Sequence, residues 1–210
     1  MFQNGVKMEI TSFHLKLKAD EVLAMTGCRE GNPLYRSLKH MLQILWKEKM
    51  KVFAPKAYIK RMLLGNEIPV YACLFTLGEF VTEEIAKLQE KDMMQAFLLD
   101  ALSNQLIFQM DVQLQERIRE LCLEGGHGIS QRMEAPVDYS LEQYPEILKA
   151  FACDGENPVH LTSGYMLQPE KSMLICYRIT EERTCMELTH DCAKCKKTDC
   201  MMRQTEQRRC

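Results

Sequence analysis

From Asp92 to Gly126 the chain carries one pattern long enough to set the dimensions of whatever it folds into. Phe97, Leu98, Ala101, Leu102, Leu106, Met110, Leu114, Ile118 and Leu121 recur at intervals of three and four, the spacing of one face of an α-helix. Asp92 stands where an N-cap is needed, and Gly125-Gly126 stands where a helix stops. A helix of about thirty residues measures about 45 Å, so the rod is expected to bend or break near Asp111. Its Met and Phe side chains are read as core, because such residues are among those most often found fully buried.

Strand-like runs surround this helix. Residues 13–18, F-H-L-K-L-K, alternate apolar and polar with the period of a half-buried strand. Tyr58–Leu63 and Ile68–Leu77 read as two strands across a Gly65-Asn66 turn, and the second is apolar enough to be central. His127–Met133, Val159–Leu161 and Met173–Ile179 follow. Shorter helices are expected from Ala19 to Thr26, ended by Gly27, and from Asn32-Pro33 to about Met50, with Leu34, Leu38, Met41, Leu42 and Leu45 on one face. Thr82 is placed to cap an acidic helix running to Gln89. Near residue 140 two starts compete: a Ser140–Gln143 capping box and a first-turn Pro145. D-G-E-N-P at 154–158 reads as a turn. Nothing in the first 180 residues looks like a linker, so one compact α/β domain is expected over 1–180, its sheet holding the 13–18, 68–77, 127–133 and 173–179 strands. A cysteine-rich tail occupies 181–210.

Composition narrows the function. With 46% hydrophobic and 27% charged residues the chain has the means to build a core. A net charge of -2 argues against nucleic acid as a partner. No apolar run approaches the ~20 residues that span a bilayer, and no basic-then-apolar leader opens the chain. No membrane association is expected, and the ten cysteines then read as thiols or metal ligands in a reducing cytoplasm. P-loop, nucleophile-elbow, H-E-x-x-H and G-x-G-x-x-G patterns are missing. His14, His40, His127, His160 and His190 form no ligand pairs at helical spacing. His127 and His160 are read as structural or surface residues rather than catalytic bases.

Two stretches remain that carry chemistry. Between the 159–161 and 173–179 runs lies a turn-rich segment with Gly164, Tyr165, Pro169, Lys171 and Ser172, polar and aromatic groups on irregular backbone held between rigid elements. In the tail, Cys192, Cys195 and Cys200 follow C-x2-C-x4-C, with Cys185 seven residues upstream as a fourth candidate ligand. Thiolates so spaced suit zinc or an iron–sulfur cluster, and Lys194, Lys196 and Lys197 favour the thiolate form. Reduced, metal-free thiols are the alternative.

Several motifs follow one another along the chain: T-L-G at 76–78, Asp92, Ala96, Asp100 and Ala101 as D-x3-A-x3-D-A, G-I-S-Q-R at 128–132, L-T-S-G-Y-M-L-Q-P-E-K-S at 161–172, and the cysteine run followed by Arg203. In order and spacing they resemble the activation (reactivation) domain of cobalamin-dependent methionine synthase, in its stand-alone form. The 161–172 segment looks like that domain's L-T-x-S/G-x-M-M-x-P-x-x-S, and the cysteine run looks like its stand-alone members. The resemblance covers most of the chain after Leu74.

It implies a twisted, mostly antiparallel sheet with helices packed around it. It implies binding of S-adenosylmethionine, and cobalamin carried by a partner, either a methionine synthase or another corrinoid protein. A flavodoxin-like donor would supply the electron that reductive methylation of cob(II)alamin requires. The family's R-x-x-x-G-Y motif falls on Arg132 to Val137, with Pro136 and Val137 in the Gly and Tyr positions. Arg132, read as a partly exposed loop arginine, would hold the ligand carboxylate, and Glu134 would favour the sulfonium. Tyr139 is the ring that a re-threaded loop would offer to adenine. Tyr165, Lys171 and Ser172 would lie by the ligand or the corrinoid face. The alternative reading is a metal- or cluster-binding partner of a corrinoid methyltransferase that no longer binds S-adenosylmethionine.

Overall fold

The computed structural model describes residues 7–65, 67–152 and 159–190. Its centre is a five-stranded antiparallel sheet in the order β1-β2-β3-β7-β4: β1 Met8–Ile10, β2 Lys56–Leu64, β3 Ile68–Thr76, β7 Ser172–Thr180 and β4 Gly128–Met133. β2 and β3 pair along their whole length, from Lys56↔Thr76 to Leu64↔Ile68, across a turn in which Gly65 takes φ 58°. β3 lies in the middle, as its unbroken apolar run requires. The expected α+β class, with its antiparallel sheet and packed helices, is what the chain forms.

The helices divide between the two faces. On one face α1 (Ala19–Met25), α2 (Tyr35–Lys49), α3 (Phe80–Gln89) and α4 (Met93–Gly125) cover Ala57, Ile59, Tyr71, Cys73, Phe75, Ile175 and Tyr177. On the other face α5 (Tyr144–Phe151) lays Ile147, Leu148 and Phe151 against Tyr58, Met62, Val70, Leu74 and Cys176. Pro145 sits in the first turn of α5, while Ser140 caps a separate 3-10 turn at Leu141–Gln143. A small hairpin, β5 (His160–Leu161) and β6 (Leu167–Gln168), precedes β7. The 154–158 turn and the cysteines from Cys192 onward lie outside the described residues.

The long helix is one unbroken rod of 33 residues, about 50 Å, with no break at Asp111. Asp92 caps it by accepting from Met94 N and Gln95 N, both at 3.1 Å. Gly126 ends it at φ 66°, a left-handed turn that glycine adopts without strain. Leu98, Leu99, Leu102, Leu106, Met110, Leu114 and Ile118 are buried along it, and each such side chain contributes about 1.5–3 kcal/mol.

Four local expectations are corrected. Of the Met and Phe side chains of α4 read as core, only Met110 is buried; Met93, Met94, Phe97 and Phe108 are exposed, because they lie off the face that α4 turns to the sheet. Residues 13–18 join no strand. Gln109 accepts from Lys16 N (3.1 Å) and donates to Lys16 O (2.7 Å), and Gln113 does the same for His14 (2.9 and 3.3 Å). Two side-chain amides on α4 thus replace the neighbouring strand that the alternation seemed to demand, and satisfy the backbone groups equally well. The strand edge that this region was expected to form is supplied by Met8–Ile10 instead. Thr82 lies inside α3, with Glu79 at the cap position. α2 starts at Tyr35, one turn after Asn32, whose side chain accepts from Leu34 N.

Candidate functional site

β4 begins with Gly128, packed so closely that a Cβ there would come within 2.1 Å of the Glu182 carbonyl and 2.5 Å of that of Cys185. This contact lets the segment after β7 turn back along the β4 edge. Ile129 N donates to Cys185 O and Glu187 N donates to Ile129 O, in a parallel bridge. Ser130 then forms a bulge: Ile129 pairs with Ile179, but Gln131 pairs with Arg178 and Arg132 with Tyr177. Strict alternation from Ile129 would turn Arg132 away from α4. The extra residue reverses that, so Arg132 shares the α4 face with Tyr177 while Met133 joins the α5 side.

There Arg132 meets an acid that no reading of the chain had assigned a role. Arg132 Nη1 donates to Asp111 Oδ2 at 2.7 Å, and Nε donates to Glu134 Oε1 at 2.7 Å. Tyr177 OH lies 3.3 Å from Asp111 Oδ1, and Gln115 Nε2 donates to Asp111 Oδ2 at 3.0 Å. The Arg132 and Asp111 side chains are 7% and 10% exposed, Glu134 33%. Arg132 is therefore a buried strand residue, not a loop arginine. Burial alone works against its cation, but Asp111 first, then Tyr177 and Glu134, hold it charged above the ordinary arginine range. Burial, reinforced by Asp111, keeps the Tyr177 phenol protonated far above its usual range. Nη2 has no partner among the described residues.

A second polar cluster sits further toward the start of α4. Lys171 Nζ donates to Asp100 Oδ1 (2.6 Å) and Asn104 Oδ1 (2.9 Å). Since β7 carries Tyr177 to Asp111 and Lys171 precedes it beside Asp100, α4 and β7 run side by side in the same direction. Asp100 and Asp111 are eleven residues apart, just over three turns, so they share one face of α4 about 16 Å apart. Ser172 Oγ turns elsewhere, 2.9 Å from Thr76 Oγ1 and 2.6 Å from Pro169 O, in a knot that closes the β3–β7 end.

The two remaining aromatic candidates do not join these clusters. Tyr139 is buried on the α5 side with Met133 and Cys176, its ring 6.3 Å from Tyr144. The loop leading to it is closed by Asp138, which accepts from Glu134 N and from the Gln131 side chain. Tyr165 occupies the β5–β6 turn at φ 62° and is partly exposed beside Met166. Val137 is 70% exposed and offers no ring. His127 is buried, 3.0 Å from Tyr71 OH, and His160 is exposed.

Asp111 had one signal in the sequence. It stands four residues after Ile107 and three before Leu114, on the apolar face of the helical stretch, and a buried carboxylate needs a cation. Of the four candidate metal ligands only Cys185 is described, and it is partly exposed. Among the described residues no group of three or more His, Cys, Asp or Glu side chains is placed to share a metal ion. Among them, too, no helix is long and apolar enough to cross a membrane.

No family model matches the chain, and no curated protein is significantly similar to it in sequence. Among solved structures, the crystal structure of the MetH reactivation domain bound to AdoHcy is similar in fold. It matches with a TM-score of 0.60 and 11% sequence identity, over 85% of this chain and 79% of that one.

Proposed function

We propose that this protein binds S-adenosylmethionine and serves, as a separate chain, the reductive reactivation of a cobalamin-dependent methionine synthase. The observation that carries the reading is the buried Arg132, held between two carboxylates with no partner for Nη2 among the described residues, in a fold like that of a domain bound to AdoHcy. One guanidinium against Asp111 and Glu134 leaves the cluster at a formal charge of -1 when both acids are ionised. That suits a ligand whose carboxylate, ammonium and sulfonium sum to +1.

In this reading Nη2 of Arg132 takes the ligand carboxylate, and the net negative charge of the cluster favours the ligand's cationic groups. Phe108, exposed three residues before Asp111 on α4, supplies the aromatic surface that Val137 does not. Lys171, held by Asp100 and Asn104, frames the far end of the strip. The partner's cobalamin and a flavodoxin-like donor would supply the methyl acceptor and the electron, while this chain binds and orients the methyl donor.

Calorimetric titration of S-adenosylmethionine tests the reading. Arg132→Lys keeps a cation for Asp111 but loses the second donor edge, so binding should weaken by about 10- to 150-fold while the fold survives. No binding to the native protein at millimolar ligand would remove this ligand class. The other reading, a metal- or cluster-binding partner of a corrinoid protein, rests on the C-x2-C-x4-C spacing of Cys192, Cys195 and Cys200. His190 Nδ1 lies 4.0 Å from Glu134 Oε1, two residues before Cys192.

A further inference from the structure

Arg132 has two carboxylate partners, and they are held very differently. Asp111 is on the interior face of α4, bonded to Arg132 Nη1, to Gln115 Nε2 and to Tyr177 OH, with its side chain 10% exposed. Moving it would strand the Arg132 and Tyr177 donors in the interior. Glu134 stands just beyond the end of β4, one-third exposed, and among the described residues its side chain has a single hydrogen bond, to Arg132 Nε. Its backbone is fixed independently, by Asp138 Oδ2 accepting from Glu134 N and Asp138 N donating to Glu134 O. The side chain can therefore swing without disturbing the loop.

The edge it holds is the useful one. A carboxylate binds a guanidinium most specifically through two parallel N–H donors, and with Nη1 committed to Asp111 the remaining fork is Nε with Nη2. Glu134 takes Nε and leaves Nη2 open. His190 Nδ1, 4.0 Å from the same Glu134 oxygen, offers that carboxylate a second partner.

We propose that Glu134 is an internal stand-in for the ligand's carboxylate, seated on the Nε edge of Arg132 and exchanged for it on binding, with Asp111 as the fixed counter-ion. The inference rests on the ligand class assigned above and adds a regulatory residue to it. Affinity is then set by competition between two carboxylates for one fork, and the ligand gains the two-pronged contact only by displacing Glu134.

Three ligands separate this role from simple attraction of a cation. S-adenosylmethionine carries the sulfonium, the ammonium and the carboxylate, S-adenosylhomocysteine the ammonium and the carboxylate, and 5′-methylthioadenosine none of the three. Loss of an anion that merely attracts the ammonium would weaken S-adenosylhomocysteine, whereas exchange tightens it. With Glu134→Gln, S-adenosylhomocysteine should bind about tenfold more tightly, the low end of what one charge-assisted hydrogen bond contributes. 5′-Methylthioadenosine should bind native and variant protein alike. Unchanged or weakened S-adenosylhomocysteine binding, in a variant whose thermal melt matches the native protein, would overturn the exchange and leave the ligand assignment standing. A weakening confined to S-adenosylmethionine would reduce Glu134 to a partner of the sulfonium. Binding of none of the three to either protein would overturn both readings together.

Discussion

Replacing Asp111 by Leu should cost this protein far more than an ordinary helix substitution. The change leaves the Arg132 guanidinium, 7% exposed, with Glu134 as its one remaining anion, and it removes the acceptor of Tyr177 OH. Breaking one side of a buried ion pair costs about 3–5 kcal/mol, and the surviving Glu134 contact places this case near 3 kcal/mol. For a chain of this length that corresponds to a fall in Tm of about 6–12 °C. Arg132→Met should cost a similar amount, because Asp111 is then buried without a cation. The double variant, Asp111→Leu with Arg132→Met, should return to within about 1 kcal/mol of native, since apolar groups of similar volume replace a buried pair at little net cost. Urea unfolding of the four proteins gives the coupling energy, expected to exceed about 2 kcal/mol. Single substitutions that each cost under about 1 kcal/mol, or costs that simply add in the double variant, would refute the buried pair. Arg132 would then be the free surface arginine that its place in the chain suggests.

Gln109→Leu should destabilise the fold by about 2–3 kcal/mol, because it orphans both backbone groups of Lys16; hydrogen exchange at the Lys16 amide should speed up with it, and unchanged protection there would count against the amide pairing. Stability should fall as pH rises from about 9 to 12. Burial lifts Cys176 from 9.0 to about 12 and Tyr144 from 10.0 to about 12, so the folded state holds protons that the unfolded chain releases first. The stabilisation is complete below pH 9, and Cys176→Ala should flatten the slope of urea midpoint against pH. If Cys192, Cys195 and Cys200 hold a metal, anaerobically purified protein should carry near-stoichiometric zinc or iron and lose most of it in Cys195→Ser; elemental analysis decides.

Much of the framework is determined by the chain's local chemistry. Asp92 with Gly126 marks the ends of α4, the apolar stripe says which face it buries, and the all-apolar run at 68–76 demands the middle of a sheet. These follow from capping geometry and hydrophobic periodicity, which act within a few residues.

What only the tertiary structure decided are the facts that depend on partners distant in sequence. Residues 13–18 alternate like a strand, yet their partners are the amides of Gln109 and Gln113, nearly a hundred residues away. The bulge at Ser130 depends on how β4 registers against β7, and it determines whether Arg132 faces α4 or α5. Asp111, 21 residues from Arg132, becomes its counter-ion only because of that turn. The sheet separates Tyr139 from Arg132, although only seven residues divide them in sequence, because the loop after β4 carries Tyr139 to the α5 face. Side-chain period is written in the sequence; the register that converts period into a face is set by long-range pairing.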